Sequence, residues 1–142
     1  MRLRGGQIKV DLARAFPRER ISERRARKVE AGARYAMTQV LFDLAYLETF
    51  LGRLGGSSPI PLLVGVWPIR SHELAVRVHN ETPGIIVPQH VQERYRSAGA
   101  DAPAVGASLV RELTAGARDL AAGIYVVAPF RQPLAVLDVL PY

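Results

Sequence analysis

The feature that most constrains this chain is an alternation of short, nearly continuous apolar runs with segments of helical periodicity. The runs are Tyr35-Ala36-Met37-Thr38-Gln39-Val40-Leu41-Phe42, Ile60-Pro61-Leu62-Leu63-Val64-Gly65-Val66-Trp67 and Ile124-Tyr125-Val126-Val127-Ala128. A strand that is apolar on both sides has no solvent face, which is the condition inside a parallel sheet flanked by connecting segments. After the first run, Asp43 is placed to cap a helix in which Leu44, Leu47, Phe50, Leu51 and Leu54 recur at intervals of three and four, and Gly55-Gly56-Ser57-Ser58-Pro59 ends it. After the second, Ser71 is placed to cap a helix with Leu74, Ala75 and Val78 inward. A turn at Thr82-Pro83-Gly84 leads through Ile85-Ile86-Val87 to Pro88, which suits the start of a short helix through Val91 and Tyr95. Asp101 and Pro103 open a longer helix with a Val105, Leu109, Leu113, Ala117, Leu120 stripe, and a last amphipathic helix is expected through Leu134, Leu137 and Leu140. Ahead of the first run, residues 18–29 suit a helix that stops at Gly32.

With 142 residues and 49% hydrophobic content the chain has the material for one core. Its net charge of +6 is local: residues 1–34 hold 11 Lys and Arg against 4 Asp and Glu, whereas residues 35–142 hold 8 against 9. The excess lies around Arg14, Arg18, Arg20, Arg24, Arg25, Arg27 and Lys28, with a single aromatic, Phe16, among them and none from Arg18 to Lys28. That is the pattern of a solvated helix face, and nucleic acid is not an expected partner. Residues 1–20 form an atypical Arg-rich segment ahead of a domain over residues 21–142. The absence of cysteine excludes thiolate metal sites, iron–sulfur clusters and cysteine nucleophiles, and His72, His79 and His90 have no metal-like spacing, so structural or surface roles are expected for them. Asp43 and Glu48 look like a cap and a helix-face charge, not an acid/base pair. No run approaches the roughly 18 apolar residues of a membrane span, and no apolar segment follows Met1 as in a signal peptide, so a cytoplasmic location is expected.

Three βα units in series imply parallel strands with right-handed crossovers, in either an open doubly wound sheet or a β/α barrel. No G-x-G-x-x-G or G-x-x-x-x-G-K-[ST] follows any of the runs, which argues against the nucleotide-binding open sheets. A barrel needs eight strands in roughly 250 residues, so this chain would hold about its last three βα units. Functional groups in a barrel gather at the C-terminal ends of strands, and Gln39 lies late in the first run, where an amide is out of place. Its donors and acceptor suit a heteroaromatic edge, although it could instead bond neighboring backbone in the barrel wall.

Five motifs, in order, resemble the methylenetetrahydrofolate reductase family: Arg27-Lys28-Val29-Glu30-Ala31-Gly32-Ala33, Thr38-Gln39 with Phe42-Asp43, Gly65-Val66-Trp67-Pro68-Ile69, His79-Asn80-Glu81-Thr82-Pro83-Gly84-Ile85-Ile86-Val87-Pro88, and Gly123-Ile124-Tyr125 with Ala128-Pro129-Phe130. The likeness is closest to the reductase half of bacterial bifunctional homocysteine methyltransferase/methylenetetrahydrofolate reductases. It implies the C-terminal portion of an α/β, TIM-type barrel that uses FAD and NAD(P)H to reduce 5,10-methylenetetrahydrofolate to 5-methyltetrahydrofolate, in one-carbon metabolism and methionine biosynthesis. On the same resemblance Gln39 and Tyr125 contact the folate, and Arg27 and Lys28 reach the phosphate and ribityl side of the flavin. Tyr125 on its residue type alone is a core aromatic, and Arg27 and Lys28 are ordinary cations at a helix C-terminus. The family's general acid and most flavin contacts lie in an N-terminal half without counterpart here. An isolated chain is therefore expected to be inactive, with the missing barrel half or a homo-oligomer as partner. Two alternatives remain: a non-catalytic interaction module using the basic N-terminal segment, and another flavin- or phosphate-binding barrel.

Overall fold

The computed structural model describes residues 7–10, 18–129 and 131–140. In chain order these form β1 (Gln7–Val10), α1 (Arg18–Glu30), β2 (Tyr35–Val40), α2 (Leu44–Arg53), β3 (Leu62–Val66), α3 (His72–Glu81), α4 (Gln89–Ala98), α5 (Ala102–Ala117) and β4 (Gly123–Val126), with 3-10 turns at Gly99–Asp101 and Pro133–Val139. The four strands pair in the order β1-β2-β3-β4, all parallel. Strands that are neighbors in both sequence and space, joined by right-handed crossovers, put their connections on one side of the sheet. A doubly wound sheet would need the strand order to reverse, and over these strands it does not.

Local chemistry sets the element boundaries. Asp43 caps α2 by accepting the Ala45 N–H at 2.9 Å, and Ser71 caps α3 by accepting the Leu74 N–H at 3.1 Å. Helices α1 and α2 end in the same way. The Gly32 and Ala33 N–H groups reach back to the Val29 and Lys28 carbonyls, and those of Gly55 and Gly56 to the Gly52 and Leu51 carbonyls. Both endings turn on a glycine with positive φ, 95° at Gly32 and 91° at Gly55, which a residue without Cβ adopts at little cost.

The core lies on one face of the sheet. Ala36, Leu62, Val64 and Val66 pack against Leu47, Phe50 and Leu51 of α2 and Val110, Leu113 and Ala117 of α5. Leu47 and Leu51 are fully buried, about 2 kcal/mol of apolar transfer each. A second cluster continues this layer beyond the strand ends, joining Val40, Phe42 and Ile69 to Ala75, Val78, Val91, Tyr95 and Leu109. Helix α5 seats closely because a Cβ at Gly106 would run into the Ile69 carbonyl. The Arg94 guanidinium makes a two-pronged bond to the Glu112 carboxylate at 3.0 and 2.8 Å, tying α4 to α5 at the surface. On the other face, Met37, Gln39, Leu63 and Tyr125 are only partly buried.

Two sequence expectations change. Among the described residues the sheet has four strands where three were expected, and the fourth, β1, lies inside the Arg-rich segment 1–20 and pairs with Tyr35–Thr38 of β2. Its four residues, Gln7-Ile8-Lys9-Val10, are too short and too polar for an apolar run, so only pairing reveals it; the remainder of residues 1–17 lies outside the described residues. The last helix is a 3-10 turn, Pro133–Val139. Leu134, Leu137 and Leu140 recur at exact threes, the period of a 3-10 ridge and not of an α-helix. Leu134 and Leu137 point outward, 75% and 47% exposed, Leu140 lies past the turn and is partly buried, and Val139 is the residue that enters the core.

Candidate functional site

Chemistry in singly wound parallel sheets gathers where the strands end, and there β2 departs from regular pairing. In an unbroken ladder Gly65 of β3 would give its N–H to the Thr38 carbonyl and accept from the Val40 N–H. Instead its N–H goes to the Thr38 hydroxyl oxygen at 3.0 Å, and its carbonyl accepts from Leu41 N–H at 2.9 Å. The register shifts between Met37 and Val40 accordingly. Two residues, Gln39 and Val40, therefore stand opposite one, which is a β-bulge of the kind that re-aims a side chain. Thr38, the one buried polar residue of the described core, holds both sides of it, since its hydroxyl also donates to the Gln39 carbonyl at 2.6 Å.

The Thr38 carbonyl released from the ladder accepts the Tyr125 hydroxyl at 2.6 Å, from 87 residues away in sequence. To reach it the ring crosses β3 directly over Gly65, where a Cβ would lie 2.5 Å from the hydroxyl oxygen. Burial pushes the Tyr125 hydroxyl pKa up, so the donated proton is retained. Gln39 itself borders a small hollow with Phe42, Tyr46, Gly84 and Ile86.

The wall of that hollow is held by side chains. Residues 85–87 carry the buried Ile85 and Val87 but lie outside the sheet, so Val87 must find other partners for its backbone. Its N–H donates to His79 Nδ1 at 3.2 Å and its carbonyl accepts from Gln92 Nε2 at 2.8 Å. This gives the His79-to-Pro88 motif a physical content that the sequence did not disclose. Asp43, besides capping α2, has its second oxygen 3.5 Å from His90 Nε2, linking the starts of α2 and α4.

A larger cleft of about 500 Å³ opens beyond β3 and β4, lined by Pro68, Arg70, Pro103, Arg111, Pro129 and Val139 among others. Another, of about 370 Å³, lies at the opposite ends of these strands around Ser57–Leu62 and Asp119–Ala122, away from the bulge.

Of the four expected site residues, the structure brings two together: Gln39 and Tyr125 meet through Thr38. Arg27 and Lys28 are exposed in the last turn of α1, which leads into the start of β2, whereas Gln39 is near the finish of that strand. They also follow one another on a helix and so diverge by about 100°. Thr38 and Gly65 stand in the sequence motifs without an assigned role, and the sheet gives them one. Thr38 was in view as a polar interruption of an apolar run, but its partner in β3 was not.

A parallel sheet whose strands lie in chain order, with helices between them and a polar amide on a bulge at a strand's C-terminal end, defines a protein of the α/β class built from successive β/α units. Residues 19–124 match the family model for methylenetetrahydrofolate reductase, and the chain belongs to that family. At the level of the family it is an oxidoreductase associated with methylenetetrahydrofolate reduction. The matched stretch runs from α1 into β4 and holds the bulge, the hollow and the 79–88 segment; Tyr125 follows it directly. A comparison with curated proteins found no match. No helix among the described residues is long and apolar enough to cross a membrane.

Proposed function

We propose that this chain is the C-terminal portion of a TIM-type β/α barrel that reduces 5,10-methylenetetrahydrofolate to 5-methyltetrahydrofolate with FAD and NAD(P)H. The observation that carries the reading is Gln39: an amide on a bulge at the finish of a strand, within the family-matched stretch, next to a partly buried sheet face. An amide there can donate to and accept from the edge of a pterin or a nicotinamide in turn. The Tyr125 ring, half-buried on the same face, forms part of the wall against which such a ring lies.

The residues fit a flavin in one respect. The face carrying Met37, Gln39, Leu63 and Tyr125 is largely apolar and only partly buried, which suits a planar ring system. Arg27 and Lys28 are exposed cations at the other end of β2, away from this face, so their position does not fit the diphosphate of a flavin whose ring lies there. FAD, when bound, supplies hydride transfer between the nicotinamide and the folate. The chain's own share is to orient the heteroaromatic edge through Gln39, to exclude water from the sheet face, and to hold the site's walls through Thr38 and His79.

The four described strands are half of the eight that close such a barrel. The other strands come from a further polypeptide segment or from a second copy, and the chain by itself does not turn over. Its cytoplasmic location is part of the same proposal. The test is to titrate the purified 142-residue chain with FAD and with 5-methyltetrahydrofolate by calorimetry, and to assay it with methylenetetrahydrofolate and NAD(P)H. Folate binding that Gln39→Ala weakens about tenfold, the scale of one or two hydrogen bonds, with the fold unchanged by circular dichroism, is expected. Folate binding indifferent to Gln39→Ala overturns the role of the amide, and turnover by the isolated chain overturns its dependence on further strands.

A further inference from the structure

The position of Gln39 is not fixed by its own side chain. Three residues in a row across the sheet set it: Thr38 in β2, Gly65 in β3 and Tyr125 in β4. The Thr38 carbonyl has two possible donors. One is the Gly65 N–H, which it would take in a regular ladder, and the other is the Tyr125 hydroxyl, which it takes here at 2.6 Å. The choice decides the register. If the carbonyl returned to Gly65, the Thr38 hydroxyl would be displaced from that N–H, and Val40 in place of Leu41 would pair with the Gly65 carbonyl. The extra residue would then be lost from β2, and everything after it would be drawn along by one position. Gln39 would no longer share its place opposite Gly65 with Val40. Its backbone would lose the Thr38 hydroxyl that now donates to its carbonyl at 2.6 Å. Gly65 enters the device through what it lacks, because any Cβ there would stand 2.5 Å from the hydroxyl oxygen.

We propose that Tyr125 is a positioning residue for Gln39: its hydroxyl keeps the Thr38 carbonyl out of the β2–β3 ladder and thereby maintains the bulge that aims the amide. The inference rests on the reading of Gln39 as the group that meets the folate. It differs from that reading in giving the Tyr125 hydroxyl no contact with the ligand. The ring can line the site while its polar end is committed inside the sheet.

The test uses the 142-residue chain labeled with 15N, as wild type, Tyr125→Phe, Thr38→Ser, Gln39→Ala and the Tyr125→Phe/Gln39→Ala double variant. Without ligand, Tyr125→Phe is expected to shift the Gln39 side-chain amide resonances and to speed hydrogen exchange at the Leu41 N–H by about tenfold, the scale of one lost hydrogen bond. Amides in α5 should keep their protection. Thr38→Ser, which retains the hydroxyl, should keep the wild-type pattern. Gly65→Ala, which crowds the same hydroxyl, should reproduce the Tyr125→Phe signature and serves if Tyr125→Phe does not fold. Unchanged Gln39 and Leu41 signals in a folded Tyr125→Phe chain overturn the proposal.

With 5-methyltetrahydrofolate as probe, Tyr125→Phe should bind about tenfold more weakly, and the double variant no more weakly than Gln39→Ala alone. Losses that multiply in the double variant mean that Tyr125 touches the ligand itself, and overturn the positioning role. If wild type fails to bind this probe, the ligand-free measurements alone decide whether Tyr125 aims Gln39.

Discussion

Tyr95 offers a sharp test of the packing that supports the site. It lies on α4 with none of its surface exposed, in the apolar cluster that also holds Ile85, Val87 and Val91, and its hydroxyl has no hydrogen-bond partner among the described residues. A buried hydroxyl left without a partner costs about 1–3 kcal/mol of desolvation. Tyr95→Phe keeps the ring and deletes that cost. The void it leaves is one oxygen atom, and at about 24 cal/mol per Å³ this returns only a few tenths of a kcal/mol. A net gain of about 1–2 kcal/mol is expected at neutral pH, or roughly 3–6 °C in melting temperature for a chain of this size. The pH dependence follows from the same burial, which pushes the Tyr95 pKa up from its ordinary value near 10.0. With the folded value raised, both states hold the proton at neutral pH and the residue adds no pH dependence there. Above pH 10 the unfolded chain releases the proton and the folded chain does not, so wild-type stability falls by up to about 1.4 kcal/mol per pH unit. Tyr95→Phe lacks this component, and its advantage should widen from pH 8 to pH 11 in urea unfolding followed by circular dichroism. A variant less stable than wild type at neutral pH, with no widening at alkaline pH, would refute the reasoning and show that the hydroxyl is satisfied.

The remaining predictions concern how elements meet. Gly106→Ala places a Cβ against the Ile69 carbonyl, a backbone atom that cannot swing aside, so α5 must lift from the strand end at about 1–3 kcal/mol; urea unfolding would expose a neutral outcome. Gly32→Ala meets no atom within 4 Å but forces a φ of 95° on a residue with Cβ, a conformational cost of about 1 kcal/mol. Gly32→Asn should recover part of it in the same assay, and equal losses for both would point to a steric cause instead. The Glu112 carboxyl is held below its ordinary value of 4.5, first by its hydrogen bond to Arg94. Its contribution is therefore present above the ordinary range and lost as pH falls through the lowered value. Both side chains are substantially exposed, so Glu112→Gln should cost under about 1 kcal/mol at neutral pH, and the difference should vanish toward pH 2 and shrink in high salt.

The parts of the fold that follow from local patterns were open to sequence reasoning. Three apolar runs became β2, β3 and β4; Asp43 and Ser71 cap the helices they precede; and Gly32 closes α1. Each depends on residues within one turn or one strand. Strand β1 depends on a neighbor 28 positions away, Gln7 on Tyr35, and its own four residues carry no strand signal of comparable strength. The 3-10 turn at Pro133–Val139 was hidden by a spacing of three, which an α-helical stripe and a 3-10 ridge share over so short a stretch.

The site divides along the same line. Gln39 was visible as a polar residue where an apolar one belongs, and the cost of burying an amide was enough to single it out. The bulge was not visible, because it exists only where β2, β3 and β4 meet: Thr38 gives up its carbonyl to a tyrosine two strands away and supplies its hydroxyl in exchange. A threonine in an apolar run looks like tolerance of a small polar residue, and a glycine in a strand looks like weakness. In the sheet each is required by the other, since Gly65 makes room for the ring and Thr38 offers the ring's hydroxyl a carbonyl and the glycine's N–H an oxygen. Removing any one of the three leaves a buried or partly buried polar group without its partner. On this arrangement the three are lost as a unit and not residue by residue, and the position of the amide is lost with them.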